Sequence, residues 1–201
     1  HGAQNTNLDT GELREAFLRS EDWAKRVRTF RDERLGRILA GDTAIPMVAE
    51  PLMAIHIVPF SSMTGGGSVD LRAIHAESPG PVKFVQGWGP QFNVDGLAMV
   101  ADPSGGEAWS VTQFFRDGCV EVLIRAGVNE SSVSIYRVEN HTLTALGLYP
   151  PVITAAGASY PVAIVASLVG VRGFQADAGD EWERVFPHFP RDAYSSVDLV
   201  L

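Results

Sequence analysis

Residues 109–125, WSVTQFFRDGCVEVLIR, constrain the fold more than any other stretch of the chain. Two runs of β-branched and aromatic residues flank the polar corner Arg116-Asp117-Gly118. Asp-Gly favours the centre of a two-residue hairpin, because both central positions need positive φ. A turn on Asp117 and Gly118 would set Arg116 opposite Cys119, Phe115 opposite Val120, Gln113 opposite Val122 and Val111 opposite Ile124. One side of the ribbon then carries Trp109, Val111, Phe115, Val120, Val122 and Ile124 towards a core. The other carries Ser110, Thr112, Phe114, Arg116, Cys119, Glu121 and Arg125, and is mostly polar. Alternation that survives the turn predicts a β-hairpin, with Asp117 as a turn residue and not a catalytic acid.

Strands arranged by tight turns need something to cover them, and the rest of the pattern supplies it. Asp9 with Glu12 resembles a capping box, and Leu13 and Phe17 give a short first helix an apolar stripe. Ser20, followed by Glu21 and Asp22, predicts the start of a second helix, which runs to Ala40 and stops at Gly41. Trp23, Val27, Phe30 and Ile38 recur at helical period and should face a core. Arg28, Arg31, Arg34 and Arg37 repeat every three residues along the same helix. They form the candidate nucleic-acid-binding stripe, against the alternative of a solvated face paired with Asp32 and Glu33.

Downstream, LMAIHIVPF (52–60) reads as a buried strand closed by Pro59, with His56 inside it. Residues 61–91 form the longest irregular stretch, the kind that is often functional. Residues 91–102 read as one strand. Residues 132–148 return to helical period and should end at Pro150-Pro151. YPVAIVASLVGVRGF (160–174) is a continuous apolar strand of a central kind. The acidic, proline-broken tail should wrap the surface. The expected fold class is α+β: an antiparallel sheet of about five strands covered by helices, in a two-layer sandwich. The expected organisation is 1–41 as the tail of an upstream domain plus helical linker, 42–175 as the α+β domain, and 176–201 as an extension.

Composition limits the chemistry. The chain has 201 residues and a net charge of −8. The first 41 residues carry eight basic and seven acidic side chains, and the remainder eight and seventeen. An acidic body repels phosphate backbones, so nucleic-acid contact should come from the first forty residues or from upstream. The single cysteine, Cys119, allows no internal disulfide and fits a reducing compartment. The longest apolar run, 161–171, is far short of the roughly 20 residues of a membrane span. A soluble, cytoplasmic chain with no membrane partner is expected.

With the strands placed, a resemblance emerges. A helix carrying FRxERLxxIxxG appears as Phe30-Arg31-Asp32-Glu33-Arg34-Leu35. An L-x-L-H-x-x-P strand appears with His56 and Pro59. A strand ending in Asp95-Gly96 leads to a T-Q-x-FR-x-G-x-x-E hairpin (Thr112, Gln113, Phe115, Arg116, Gly118, Glu121), and a PVxxxxSLxGVxG strand lies at 161–173. This series resembles bacterial proteins that carry an N-terminal Schlafen-type, AlbA-like DNA-binding domain, over most of residues 1–174. In those proteins an Arg-x-Gly segment closes the AlbA-like domain, matched here by His1-Gly2. The resemblance implies that this chain begins near the end of that domain and is the region that follows it. The acids of the AlbA-like domain would then lie upstream, and none is carried over.

The residues themselves bring no reactive signature. There is no GxSxG elbow, no HxxxH or HxH spacing among His1, His56, His75, His141 and His188, no Walker lysine and no GxGxxG fingerprint. No catalytic residue, metal ligand or cofactor is therefore expected. Three readings remain. The first is a non-enzymatic regulatory, oligomerising or interaction domain accompanying an AlbA-like module. It would act as a homo-oligomer, with nucleic acid bound through the upstream domain or the basic helix. The second is a small-ligand sensor with 61–91 as a lid, and a pocket at His56, Trp88, Arg116 and Glu121. The third is a metal-dependent hydrolase uniting Glu121, His56, His75 and Asp95. Glu121 stands out as a mid-strand acid, expected to pair with Arg116 and Arg125.

Overall fold

The computed structural model describes residues 10–48, 51–65, 67–77, 88–101, 106–127, 129, 131–177, 188–195 and 199–200. Helix α1 (Thr10–Leu39) is followed by β1 (Leu52–Pro59) and two short helices, α2 (Phe60–Met63) and α3 (Leu71–Glu77). The strands β2 (Trp88–Phe92), β3 (Gly96–Ala101), β4 (Ser110–Phe115) and β5 (Val120–Arg125) come next. Then come β6 (Ser132–Ser134), α4 (Ile135–Ala155), β7 (Val162–Val169), β8 (Gln175–Asp177), β9 (Ala193–Ser195) and β10 (Leu199–Val200). The main sheet is antiparallel in every pairing, in the order β10-β7-β1-β5-β4-β3-β2, with β9 also paired to β7. β6 and β8 form a separate parallel pair. The chain is thus the α+β protein with an antiparallel sheet that the alternation predicts.

The central apolar runs sit in the middle of this sheet. β1 lies between β5 and β7, and every residue of β1 is buried. On one face Met53, Ile55, Ile57, Leu97, Met99, Phe114, Val120 and Val122 pack against Tyr149 and Ile153 of α4. On the opposite face Trp23, Val27, Leu35 and Ile38 of α1 cover Ala54, Val58, Leu123, Ala163, Val165 and Val169. Helices therefore lie on both faces, and the sheet is larger than about five strands. The extra strands have local causes. Asn93 Oδ1 accepts the backbone N–H groups of Asp95 (3.0 Å) and Gly96 (2.7 Å), an Asx-turn that folds the single strand expected at 91–102 into β2 and β3. The tail, expected to wrap the surface, lends β9 and β10 to the edge of β7.

The hairpin forms, in a different register. Gly118 has φ of 95°, its N–H donates to Phe115 O (3.0 Å), and Phe115 N–H donates to Cys119 O (2.9 Å). The loop is thus three residues long, a turn followed by a left-handed glycine, and Gln113 faces Glu121 while Phe114 faces Val120. A one-residue change of register exchanges the faces of one strand relative to the other. Phe114, expected on the polar side, is fully buried beneath α4, and Phe115 turns towards α1. Trp109, expected in the core, is 52% exposed.

Two helix limits differ from expectation. The helix passes through Ser20, where a cap is expected, because serine in a helix interior costs only a few tenths of a kcal/mol to about 0.5 relative to alanine. The cap at Asp9 lies outside the described residues. The C-terminal stop does sit at Gly41, with φ of 75°, Asp42 N–H bonded to Arg37 O and Gly41 N–H to Ile38 O. α4 continues through Pro150-Pro151 to Ala155, and its first turn is capped by Ser134 Oγ accepting Arg137 N–H. Each proline removes a helical hydrogen bond, but Tyr149, Pro150 and Ile153 are all buried, and that packing outweighs the local preference. Residues 61–91, expected as a lid, contain α2, α3 and β2; residues 78–87 lie outside the described residues.

Candidate functional site

The apolar stripe of α1 runs Trp23, Val27, Phe30, then Ile38, at spacings of four, three and eight. The missing step falls on position 34, which is arginine. Its side chain therefore points at the sheet and not along the outward stripe, and Arg34 is 9% exposed. Directly below it, β5 presents Glu121 and β1 presents His56, which are cross-strand partners. Both belong to otherwise apolar runs, and they are 1% and 0% exposed.

The three groups meet. Arg34 Nε donates to Glu121 Oε2 and Arg34 Nη2 to Glu121 Oε1, both at 2.7 Å, a bidentate pair. His56 Nε2 lies 3.0 Å from Glu121 Oε2. Burial pushes the Glu121 carboxyl up, but the hydrogen bonds and charges of Arg34 and His56 outweigh it and hold it down to about 2. For Arg34 burial acts downwards, Glu121 acts upwards, and the net is upwards. An ionised carboxylate only accepts, so the proton in the His56 bond belongs to Nε2. The other ring nitrogen, Nδ1, is buried and has no hydrogen-bond partner among the described residues. Aromatic rings close the site. The Arg34 guanidinium lies 5.2 Å from the Phe115 ring centroid, and Phe30 packs edge-on to both His56 (5.7 Å) and Phe115 (6.3 Å).

A polar extension runs towards β3. Gln113, 1% exposed and opposite Glu121, donates from Nε2 to Phe114 O (3.1 Å) and accepts from Asn93 Nδ2 at Oε1 (2.7 Å). Arg116 does not pair with Glu121. Its Nε donates to Val94 O (3.1 Å) and its Nη2 to Asn93 O (3.4 Å), while its backbone N–H reaches Asp95 O. The corner at 116–118 thus fastens one hairpin to the tip of the next, and Arg125 is exposed. The expected pairing of Glu121 with Arg116 and Arg125 is replaced because the register puts Glu121 beneath α1.

Of the pocket residues expected from sequence, His56 and Glu121 come together, while Arg116 stands at the hairpin tip. Trp88 begins the edge strand β2. The four residues of the metal reading do not converge: His75 stacks on Phe92 at 5.4 Å and Asp95 sits exposed in the β2–β3 turn. Among the described residues no group of three His, Cys, Asp or Glu side chains could hold a metal ion. Of the arginine stripe, Arg34 is buried, Arg31 pairs with Asp32 (2.9 Å), Arg37 lies 3.9 Å from Asp42, and Arg28 is exposed. Cys119 is buried, donates to Ser62 Oγ (3.3 Å), and has its thiol pushed up by burial, which disfavours the thiolate. A carboxylate-fixed imidazole can serve acid–base chemistry only where a reacting atom comes within hydrogen-bond reach, and here the charged groups are covered by α1.

Comparisons of the chain with protein-family models, with curated proteins and with solved structures found no match.

Proposed function

We propose that this chain is a non-enzymatic interaction or regulatory domain that accompanies a nucleic-acid-binding module of the AlbA-like type. One observation carries the reading. Some of the residues on which the family resemblance rests meet between α1 and the sheet: Phe30 and Arg34 from the helix motif, His56 from the strand motif, and Phe115 and Glu121 from the hairpin motif, with Gln113 opposite Glu121 in the strand register. These positions serve to seat α1 on the sheet, and the most distinctive ionisable groups of the chain neutralise one another there. A pattern that encodes docking of a helix is what a scaffold needs, whereas an enzyme must leave a reactive group accessible. The ion pairs along the outer side of α1 support placing nucleic-acid contact in the upstream module and not on this helix.

Two measurements on the isolated chain test this. Light scattering is expected to give a mass of more than one copy, or a partner is recovered that binds at stoichiometric ratio. Ester and phosphodiester substrates are expected to survive incubation. Hydrolysis by wild type that disappears in Glu121→Gln, with the fold intact by circular dichroism, overturns the reading.

A further inference from the structure

α4 buries one side and turns a second row of residues outward. Tyr136, Asn140, Leu143, Gly147 and Pro151 recur at spacings of four, three, four and four, and all five are exposed. Tyr136 is 67% and Leu143 59% exposed, turned away from the buried Ala145, Tyr149 and Ile153. Gly147 is the unexpected member of the row, because glycine is unfavourable in a helix interior relative to alanine. Its backbone is not in the left-handed region, and an added Cβ would meet no atom of the described residues within 4 Å. Packing inside the chain therefore does not call for the missing side chain, whereas the close approach of another backbone would use it. The face is also free of charge. From Asn140 to Val171 the chain carries no Asp, Glu, Lys or Arg, and the only charges of α4, Arg137 and Glu139, stand near its N-terminal end.

We propose that the outward face of α4 is a self-docking surface, on which a second copy of this chain lays its own α4 antiparallel, with Leu143 of each copy seated over Gly147 of the other. Two observations select a second copy as the occupant. The first is shape: an exposed leucine and an empty glycine position lie one helical turn apart on the same face, so the surface carries both the knob and the hole of an isologous pair. The second is charge: the chain carries −8, so two copies repel over most of their surface, and this face lets them meet without burying like charges. Arg137 and Glu139 would fall at the two ends of such a contact, as a polar rim. The row from Tyr136 to Pro151 spans about 22 Å at a rise of about 1.5 Å per residue, so a contact centred on it is small and the dimer is concentration-dependent. This inference rests on the interaction reading and names the surface and the partner.

The test is sedimentation equilibrium of the whole chain from about 1 to about 500 μM, which spans the weak end of specific association. Wild type is expected to pass from one copy to two. Gly147→Leu fills the hole and also gives the helix a better former, so it should fold at least as well as wild type while raising the dissociation constant at least about tenfold. Leu143→Glu removes the knob and places like charges in the contact, and should act in the same direction. Val94→Glu changes an apolar residue that is 86% exposed in the β2–β3 turn, and should leave the dissociation constant within about twofold. A wild type that stays monomeric overturns the proposal. So does a dimer that both α4 variants leave intact or that Val94→Glu abolishes, but these two results leave the interaction reading standing, because that reading fails on the hydrolysis assay.

Discussion

On the α4 side of the sheet, large apolar side chains fill the interface, and the polar exception is small: the Tyr149 hydroxyl bonded to Thr112 Oγ1 at 2.8 Å. On the α1 side, Arg34, His56, Glu121 and Gln113 interrupt a core that is split into smaller clusters. The two sides hold their helices by different means. Apolar burial is non-directional, and a helix held that way tolerates small slides. A bidentate arginine–carboxylate pair has one good geometry. If α1 moved along its axis by one turn, about 5.4 Å, Glu121 would be left buried without its cation. The α4 side supplies the bulk of the apolar burial, and the α1 side specifies where the helix sits.

The largest test of this contrast is Glu121→Ala. Leaving Arg34 buried without its anion should cost about 3–5 kcal/mol, read from urea unfolding midpoints, and the double change Arg34→Met with Glu121→Leu should recover most of it. A single-mutant loss below about 1 kcal/mol would place the pair among ordinary surface contacts and break the comparison.

Acid sensitivity comes next. The folded carboxyl of Glu121 lies near 2, below its ordinary 4.5. A depressed acid stabilises the fold above its unfolded value, so that contribution is present at neutral pH and drains away as pH falls from about 4.5 towards 2. Unfolding free energies measured across this window should fall for wild type and change less for Glu121→Gln. A parallel pair of curves would mean that other carboxylates govern acid unfolding.

Smallest is Tyr149→Phe on the opposite face. It leaves the Thr112 hydroxyl, 2% exposed, without its partner and should cost about 1–2 kcal/mol, with no pH dependence below neutrality. A loss as large as that of Glu121→Ala would erase the distinction between the two sides.

Much of the α4 side was legible from pattern: Ile55, Val122 and Ile164 belong to apolar runs, and their burial follows from strand periodicity. On the α1 side the stripe Trp23, Val27, Phe30 and Ile38 was legible, as were a histidine and a glutamate within apolar strands, but Arg34 read as one of an outward row of arginines. Each alone has a bland explanation. Their mutual relation is visible only when a buried charge is required to have a counter-charge, and sequence spacing does not name which. The hairpin shows the same limit. Asp117-Gly118 marked the turn, yet two- and three-residue loops share that dipeptide, and the choice between them depends on how Gly118 and Cys119 bond back to Phe115.

By itself the sequence determined the α+β class, the position of the hairpin, the apolar strands β1 and β7, and the end of α1 at Gly41. These follow from local periodicities and from the conformational freedom of single residues. The tertiary structure alone decided the hairpin register, the passage of α4 through Pro150-Pro151, and the meeting of Arg34 and His56 at Glu121 across 87 and 65 residues of chain. Those outcomes depend on which surfaces pack against which, and packing energy acts between atoms that are near in space, whatever their distance along the chain.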